Sequence, residues 1–490
     1  MRSSARSGRL RARRRSGLRA LGALLALVLL THTAAAQPTL VDASLQLETL
    51  TSDLARPVAI AFLGAGDALV IERFAGRVRR ILGGVLQPAP VLEIAGAADD
   101  TETLMGIAIN GESPPAVFLY IEDKTGLVGN RVERYTWNPT TEVLESPQLV
   151  LQISPAGSAT LHDGGYLMLG PPDDPAATAG VGDGQVLYVT VGDLERDGQL
   201  QNDPAGAPPD GTSVIFRLLQ DGSPAPGNPF APYCSATTTT VCADDLDCPA
   251  GESCLSQVAS YYAYGVRNSY GLAIDPHTDA LWDTENGDTS HDEVNRVAPG
   301  MNSGWIPLMG PGDPGTVTLF DMPGGGDSYV DPLLSWFPFS PGGNTGPTGI
   351  VFPYGGALGS AYDGHLLFSD FNPPGQIYAV PLTAGRDAFQ WSALPSLADA
   401  VADDQAELDQ LLFGTGFSDS IVALERGPLG ALYVVTYFDG NVYRISSPST
   451  PLPATGRLGR VLLVLALAGA AVGFVTMLRG FPGASGPRIQ

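Results

Sequence analysis

Short apolar runs, separated by glycine, proline and aspartate, recur along the middle of the chain. In residues 57–81, PVAIAFLGAGDALVIERFAGRVRRI, three such runs are joined by two turn-like segments. Runs of about four to eight residues between turn formers predict β-strands, here a three-stranded antiparallel meander. The 60 glycines and 41 prolines among 490 residues supply turns for many more strands. The pattern therefore predicts a large all-β protein.

The same pattern occurs six times along the chain. The copies occupy residues 57–81, 104–135, 164–218, 270–297, 348–380 and 421–445. One such meander cannot bury both of its faces, whereas a closed ring of them can, and closure also protects the strand edges. The repeats predict a six-bladed β-propeller over residues 37–447, with polar strand ends meeting at a channel mouth. A β-sandwich with extra domains, the alternative, does not explain six copies.

The first 36 residues have the features of an export signal. They contain eight arginines and no acidic residue, followed by LGALLALVLL and a small-residue stretch that ends at Ala36. A basic start, a short apolar run and an A-x-A-like site predict a cleaved secretory signal peptide.

The C-terminal part has a second apolar segment. A Pro/Ser linker with LPATG (448–459) precedes an apolar segment (460–479) and a short tail (480–490). Its 18 uncharged residues are long enough to cross a bilayer, and LPATG before an apolar run and a basic residue resembles a sortase-type sorting signal. Both the transmembrane anchor and the sorting segment predict attachment to a membrane or wall, at the cell surface or in the periplasm.

Charge and cysteine usage narrow the function classes. The chain has a net charge of −24, and loss of its arginine-rich start would make it more acidic, which excludes nucleic acid and anionic lipid as ligands. All four cysteines lie in an insertion at residues 231–258, which predicts two disulfides with three pairings open. The chain contains no C-x-x-C spacing, so a structural zinc site is not predicted.

The candidate catalytic residues lie at strand ends of the third and fourth repeats. His162 precedes a strand in LHDGGYLMLG, and histidine suits proton abstraction near neutral pH. Asp193 ends the strand YVTVGD and could orient the imidazole. Arg267 and Asn268 open the next repeat, where an arginine offers five donors to a carbonyl-rich ligand. The alternatives are an incidental loop histidine, a turn-forming aspartate, and an arginine buried against Asp193 or Glu285.

A candidate metal site follows a strand of the fourth repeat. In TENGD (284–288), backbone carbonyls around Gly287, with Asp288 nearby, are the hard oxygen ligands that calcium prefers. The alternative is that the acidic residues only cap the loop.

Several segments, which follow one another in a set order along the chain, together resemble the soluble quinoprotein sugar dehydrogenases, the glucose/sorbosone dehydrogenase family. They are PVAIAF, LVIERFAGRVRRI, HDGG, LYVTVGD, DGSPAPGNPF, YGVRNSYGLAIDP, LWDTENGD, DEVN and NSGW, spread over about residues 48–447. The resemblance implies a six-bladed propeller that binds pyrroloquinoline quinone and calcium, oxidises a sugar hydroxyl and passes electrons to an external acceptor.

The resemblance also implies roles for the residues above. His162 corresponds to the general base and Asp193 to its supporting carboxylate. Arg267 and Asn268 correspond to the pair that contacts the quinone carbonyls. The carbonyls of Gly287 and Asp288 correspond to calcium ligands, although the family usually has proline at the second position.

The chain departs from the family where cations from the last two blades hold the carboxylates of the quinone. Asp370 and Asn372 stand where a lysine is expected, and Ser420 and Val422 stand where arginines are expected. A sugar or polyol dehydrogenase is therefore predicted, with a non-catalytic propeller binding module at the cell surface as the alternative. A calcium-dependent lactone hydrolase is a third hypothesis.

Overall fold

The structure, a computed structural model, describes residues 37–155, 161–323, 329–337, 346–417 and 420–448. The expected signal peptide, the LPATG motif and the apolar segment at 460–479 lie outside the described residues. Within the described ranges, no helix has both the length and the apolar character needed to span a membrane.

Strands dominate this part of the chain, and the helices are only three to five residues long. The strands are β1 (Thr39–Leu40), β2 (Gln46–Thr51), β3 (Pro57–Gly64), β4 (Asp67–Glu72), β5 (Arg77–Leu82), β6 (Val85–Leu86), β7 (Leu92–Glu93), β8 (Glu102–Ile109), β9 (Ala116–Asp123), β10 (Arg131–Asn138), β11 (Val143–Gln152), β12 (Leu167–Gly170), β13 (Val186–Val191), β14 (Val214–Leu218), β15 (Tyr261–Tyr264), β16 (Ser269–Ile274), β17 (Leu281–Glu285), β18 (Asp292–Val297), β19 (Leu334–Trp336), β20 (Pro347–Val351), β21 (His365–Asp370), β22 (Gln376–Pro381), β23 (Val401–Ala402), β24 (Leu412–Thr415), β25 (Ile421–Arg426), β26 (Leu432–Thr436) and β27 (Val442–Ser446). Among the residues that the structure describes, the one α-helix is α1 (Gln405–Leu408), and the 3-10 turns are Ala95–Asp99, Gln199–Gln201, Asp245–Asp247, Ser256–Ser260, Pro314–Thr316, Ser360–Tyr362, Pro395–Leu397 and Asp409–Leu411.

The strands form six sheets, which confirms the six-bladed propeller. Blade 1 contains β3 to β7, blade 2 contains β8 to β11, and blade 3 contains β12 to β15. Blade 4 contains β16 to β19 with β23, blade 5 contains β20 to β22 with β24 and β1, and blade 6 contains β25 to β27 with β2. The first strand of each blade lies innermost, and these strands contact one another in a closed circle from β3 through β25.

Two N-terminal strands complete the last two blades. Thr39 pairs with Thr415 at the edge of blade 5, and Leu47 pairs with Ile445 at the edge of blade 6. The segment before the first repeat thus joins the two ends of the repeat array. The pairing covers edges that would otherwise expose free backbone groups.

Apolar clusters between neighbouring blades hold the ring together. Between blades 4 and 5, Trp336 stacks on Phe368 at 5.2 Å between ring centroids, and Phe368 stacks on Tyr378 at 5.0 Å. All three side chains are fully buried. Burying a large apolar side chain contributes about 1.5–3 kcal/mol, so these layers favour closure over separate sheets.

The cysteine-rich insertion follows β14 of blade 3 and carries the two expected disulfides. Cys234 pairs with Cys248, and Cys242 pairs with Cys254. The three pairings that the sequence leaves open are thereby reduced to one.

A hydrogen bond crosses the central channel. The hydroxyl of Tyr166, just before β12 in blade 3, donates to Glu425 on β25 in blade 6. Both residues line a cavity of about 390 Å³ whose other walls are mainly first strands of the blades. Burial raises the pKa of Glu425 to about 7, since the ionised form loses its hydration inside the channel.

Glu425 should make stability fall as pH rises. Because its pKa is raised from the usual value of 4.5, the folded state binds more protons than the unfolded state between about pH 4.5 and 7, so its contribution is lost over that window. Glu425→Gln removes the ionised form, so it should raise the free energy of unfolding by about 3 kcal/mol at pH 8 and change it little at pH 5. Denaturant unfolding at both pH values measures the difference. Exposed Glu145 provides the control, Glu145→Gln, and parallel pH profiles for both variants and the parent would contradict the prediction.

Candidate active site

The candidate site lies where each blade's second strand ends and its first strand begins. Antiparallel pairing of these strands places both termini at the same end of the channel, which we call the site mouth. The residues that follow second strands and precede first strands therefore surround it. They include Arg56, Arg73, Lys124, His162, Asp193, Arg267, Asn268, Asn286, Phe371 and Tyr437.

His162 and Asp193 form a direct pair at the site mouth. The imidazole Nδ1 lies 2.7 Å from Oδ1 of Asp193, and Asp193 is buried while the imidazole is one-fifth exposed. Oδ1 also accepts from the backbone N–H of Glu195, and Oδ2 accepts from Nε1 of Trp305 at 2.8 Å. These contacts fix the carboxylate and therefore the imidazole. Since Nδ1 faces Asp193, Nε2 is the nitrogen available to a ligand.

The backbone around His162 is unusual. His162 has φ +59°, a left-handed conformation that costs a non-glycine residue about 1–3 kcal/mol and is enriched at functional sites. Close packing holds it there, because a Cβ added to Gly192 would lie 2.0 Å from the carbonyl oxygen of His162 and 2.7 Å from that of Arg267. Glycine at 192 therefore lets the two entry loops meet over the end of β13.

Arg267 faces carbonyl oxygens and an indole ring. Its Nη1 donates to the carbonyls of Gly287 at 2.6 Å and Asn286 at 3.2 Å, while Nη2 lies 3.8 Å from Asp288. Its guanidinium carbon sits 5.2 Å from the ring centroid of Trp305. The buried Nε of Arg267 has no hydrogen-bond partner among the described residues. That unpaired donor fits a ligand oxygen at the mouth.

The main chain connects these residues across two blades. The N–H of Asp193 donates to the carbonyl of Arg267 at 2.8 Å, and the N–H of Gly164 donates to Oδ1 of Asn268 at 3.3 Å. The structure thus brings together His162, Asp193, Arg267 and Asn268.

Trp305 also belongs to the site, although the sequence analysis assigned it no role. It binds Asp193 through Nε1 and lies against the guanidinium of Arg267. The NSGW segment that contains it was a family mark, and that was the only signal in the sequence.

β17 and β18 carry four buried acidic side chains, and Glu285 among them contacts the backbone of Arg267. Glu285 accepts from the N–H of Arg267 and from the Ser303 hydroxyl, each at 2.6 Å. Burial raises the pKa of Asp283 to about 7 and that of Glu293 to about 8. Burial, followed by repulsion from Glu293 and Asp283, raises the pKa of Glu285 well above its usual range. Burial thus favours the protonated form of these three carboxyls.

The candidate calcium ligands lie beside Arg267. The Gly287 carbonyl accepts from the guanidinium, and the side chain of Asp288 is 57% exposed. These oxygens are of the type that calcium prefers, but they are only two of its usual six to eight. Among the described side chains, only one group of three potential metal-binding residues lies close enough together to hold an ion. It consists of cysteines that are already disulfide-bonded.

The expected anchoring positions of blades 5 and 6 offer no cationic side chain to a ligand at the mouth. Asp370 is buried, accepts from the Gln376 N–H and the Tyr378 hydroxyl, and has a pKa raised by burial to about 8. Ser420 and Val422 are buried as well. The raised pKa favours the neutral form of Asp370, so this side chain presents little negative charge near pH 7.

Comparison with known proteins gives consistent matches. The family described as Glucose / Sorbosone dehydrogenase matches residues 54–444. Quinoprotein glucose dehydrogenase B of Acinetobacter calcoaceticus is 27% identical over 289 residues, which cover 54% of this chain and 52% of that relative. The match thus spans about half the length of that relative.

Two solved structures extend the comparison. A putative oxidoreductase (glucose dehydrogenase) from Thermus thermophilus is 27% identical with a TM-score of 0.56, covering 82% of this chain and 99% of that one. The aldose sugar dehydrogenase from Streptomyces coelicolor, solved with pyrroloquinoline quinone bound, is 21% identical with a TM-score of 0.55, covering 82% and 98%. The second likeness supports the fold alone. On the family match over most of its length, the chain belongs to the glucose/sorbosone dehydrogenase family.

Proposed function

We propose that this protein is a dehydrogenase that oxidises a hydroxyl group of a sugar or polyol with pyrroloquinoline quinone. The observation that carries the proposal is the His162–Asp193 pair, which lies at the same mouth as Arg267 with its unpaired Nε. Family membership and the quinoprotein relative support the same reaction class.

The site residues have complementary roles in this reaction. His162 takes the proton of the substrate hydroxyl through Nε2, and Asp193 stabilises the imidazolium that forms. Arg267 donates through Nε to a carbonyl oxygen of the bound ligand, and Asn268 positions the Gly164 loop. The chemistry that the quinone supplies when bound is acceptance of the hydride from the hydroxyl-bearing carbon.

Calcium belongs to the proposal as the metal at Gly287 and Asp288. Two protein oxygens leave most coordination positions to a ligand and water, so the metal and the quinone would bind cooperatively. Export and attachment at the cell surface belong to the proposal on the basis of the terminal sequence segments. An external electron acceptor belongs to it on the basis of the family match.

The test is reconstitution. Protein titrated with pyrroloquinoline quinone in the presence of calcium should develop the absorbance of the bound cofactor and then reduce a dye when aldoses are supplied. Chelation of calcium should weaken quinone binding. No spectral change at high quinone concentration would instead favour the propeller binding module, which the buried anchoring positions of blades 5 and 6 support.

A further inference from the structure

Arg56 is a guanidinium held on three aromatic rings at the site mouth. It lies in the loop that leads into β3, has φ +52° and is exposed. Its guanidinium carbon is 5.5 Å from the ring centroid of Phe74, 5.8 Å from that of Tyr437 and 6.0 Å from that of Phe438. Cation–π contacts of this kind hold the group in place without neutralising its charge.

The neighbouring cations differ from Arg56 in one respect. Arg73 and Lys124 also lie over Phe74, but Arg73 pairs with Glu122 at 2.9 Å and Lys124 pairs with Asp100. The side chain of Arg56 makes no ion pair with any carboxylate of the described chain. In a protein with a net charge of −24, an exposed arginine that is held on aromatic rings and not paired with a carboxylate is available to an anionic ligand.

The position of Arg56 matches a gap in the mouth. Its loop belongs to blade 1, whose inner strand β3 packs on β25 and β26 of blade 6. Tyr437 and Phe438 come from blade 6, and the ring centroid of Phe371 in blade 5 lies 6.1 Å from the ring centroid of each. Phe74 and Phe438 are 37% and 54% exposed, so an aromatic rim with one free guanidinium covers blades 5, 6 and 1. This is the side on which Asp370, Ser420 and Val422 provide no cation.

We propose that Arg56 binds a carboxylate of pyrroloquinoline quinone, beside the exposed aromatic rim; this inference rests on the proposed function. The planar fork of a guanidinium matches a carboxylate with two parallel hydrogen bonds, and the quinone is a planar tricarboxylic acid. Arg56 thus supplies from blade 1 the charge that blades 5 and 6 lack.

Calorimetric titration of the calcium-loaded protein with the quinone and with its trimethyl ester tests this. Arg56→Gln should weaken binding of the acid about 10- to 100-fold and leave binding of the ester within about twofold, since only the acid offers a carboxylate. Arg426→Gln is the matched control. Arg426 stacks on Tyr354 at 3.6 Å and lines the cavity beyond the Tyr166–Glu425 bond, so its replacement should affect neither ligand.

The outcomes separate the two proposals. Wild-type protein that binds the acid, together with an Arg56→Gln variant of equal affinity, overturns the role of Arg56 and leaves the proposed function standing. Equal weakening of acid and ester also overturns it, because the loss would then not depend on a carboxylate. Wild-type protein that binds neither compound overturns the proposed function itself.

Discussion

Replacing His162 with glutamine should lower kcat for sugar oxidation by about 100- to 10 000-fold, the range typical of general acid–base catalysis. Glutamine can still face Asp193, but its amide cannot accept the hydroxyl proton near neutral pH. Asp193 and the indole that donates to it remain in place in this variant. The substitution should therefore lower kcat and leave quinone binding unchanged. Dye-coupled steady-state kinetics and calorimetric quinone binding measure the two effects separately.

His277→Gln provides the comparison, because His277 lies exposed in a turn of blade 4 away from the pair. That variant should keep parental turnover, and both variants should bind the quinone with parental affinity. A His162→Gln enzyme with unchanged kcat would remove His162 from proton transfer. An equal loss in both variants would show that the effect does not arise at the pair.

The fold was predictable because its signal is local and repeated. Strand periodicity and turn residues lie within each repeat, and six copies impose the ring. The closure by β1 and β2 was not predictable, because these short edge strands are mostly exposed or half-buried and lack a clear alternation. The disulfide pairing was likewise open, since the insertion has no periodic pattern that would define which cysteines meet.

The meeting of His162 and Asp193 followed from blade topology. A residue before a first strand and one after the second strand must share an end of the blade, which brings His162 and Asp193 together. No such rule predicts which residues the longer loops bring to the site, so the contacts of Trp305 were not predicted. Side-chain direction at the end of a strand was also open, and Asp370 turns into its own blade toward Tyr378 instead of facing the mouth. Arg56 belongs to no motif, and only the folded structure shows that three aromatic rings surround its guanidinium.

Gly192→Ala should lower kcat/KM by about 100-fold or more although the substitution adds one methyl group. Position 192 is not in the left-handed region, so alanine can adopt its backbone conformation and the effect is steric. The added Cβ meets two backbone carbonyls, those of His162 and Arg267, which cannot rotate away as a flexible side chain would. The entry loops must therefore separate, and a displacement of about 1 Å can cost on the order of 100-fold in rate. Steady-state kinetics measures the loss.

Folding and positioning can be distinguished for this variant. Overpacking should also lower the free energy of unfolding by about 1–3 kcal/mol, so denaturant unfolding must show that the variant is folded under assay conditions. Gly64→Ala is the matched control, because a Cβ at Gly64 on β3 meets no heavy atom within 4 Å. A folded Gly192→Ala protein with full activity would mean that the site tolerates separation of the two loops. Loss of activity in the folded variant, with Gly64→Ala unaffected, would tie catalysis to the close approach of His162 and Arg267 over the end of β13.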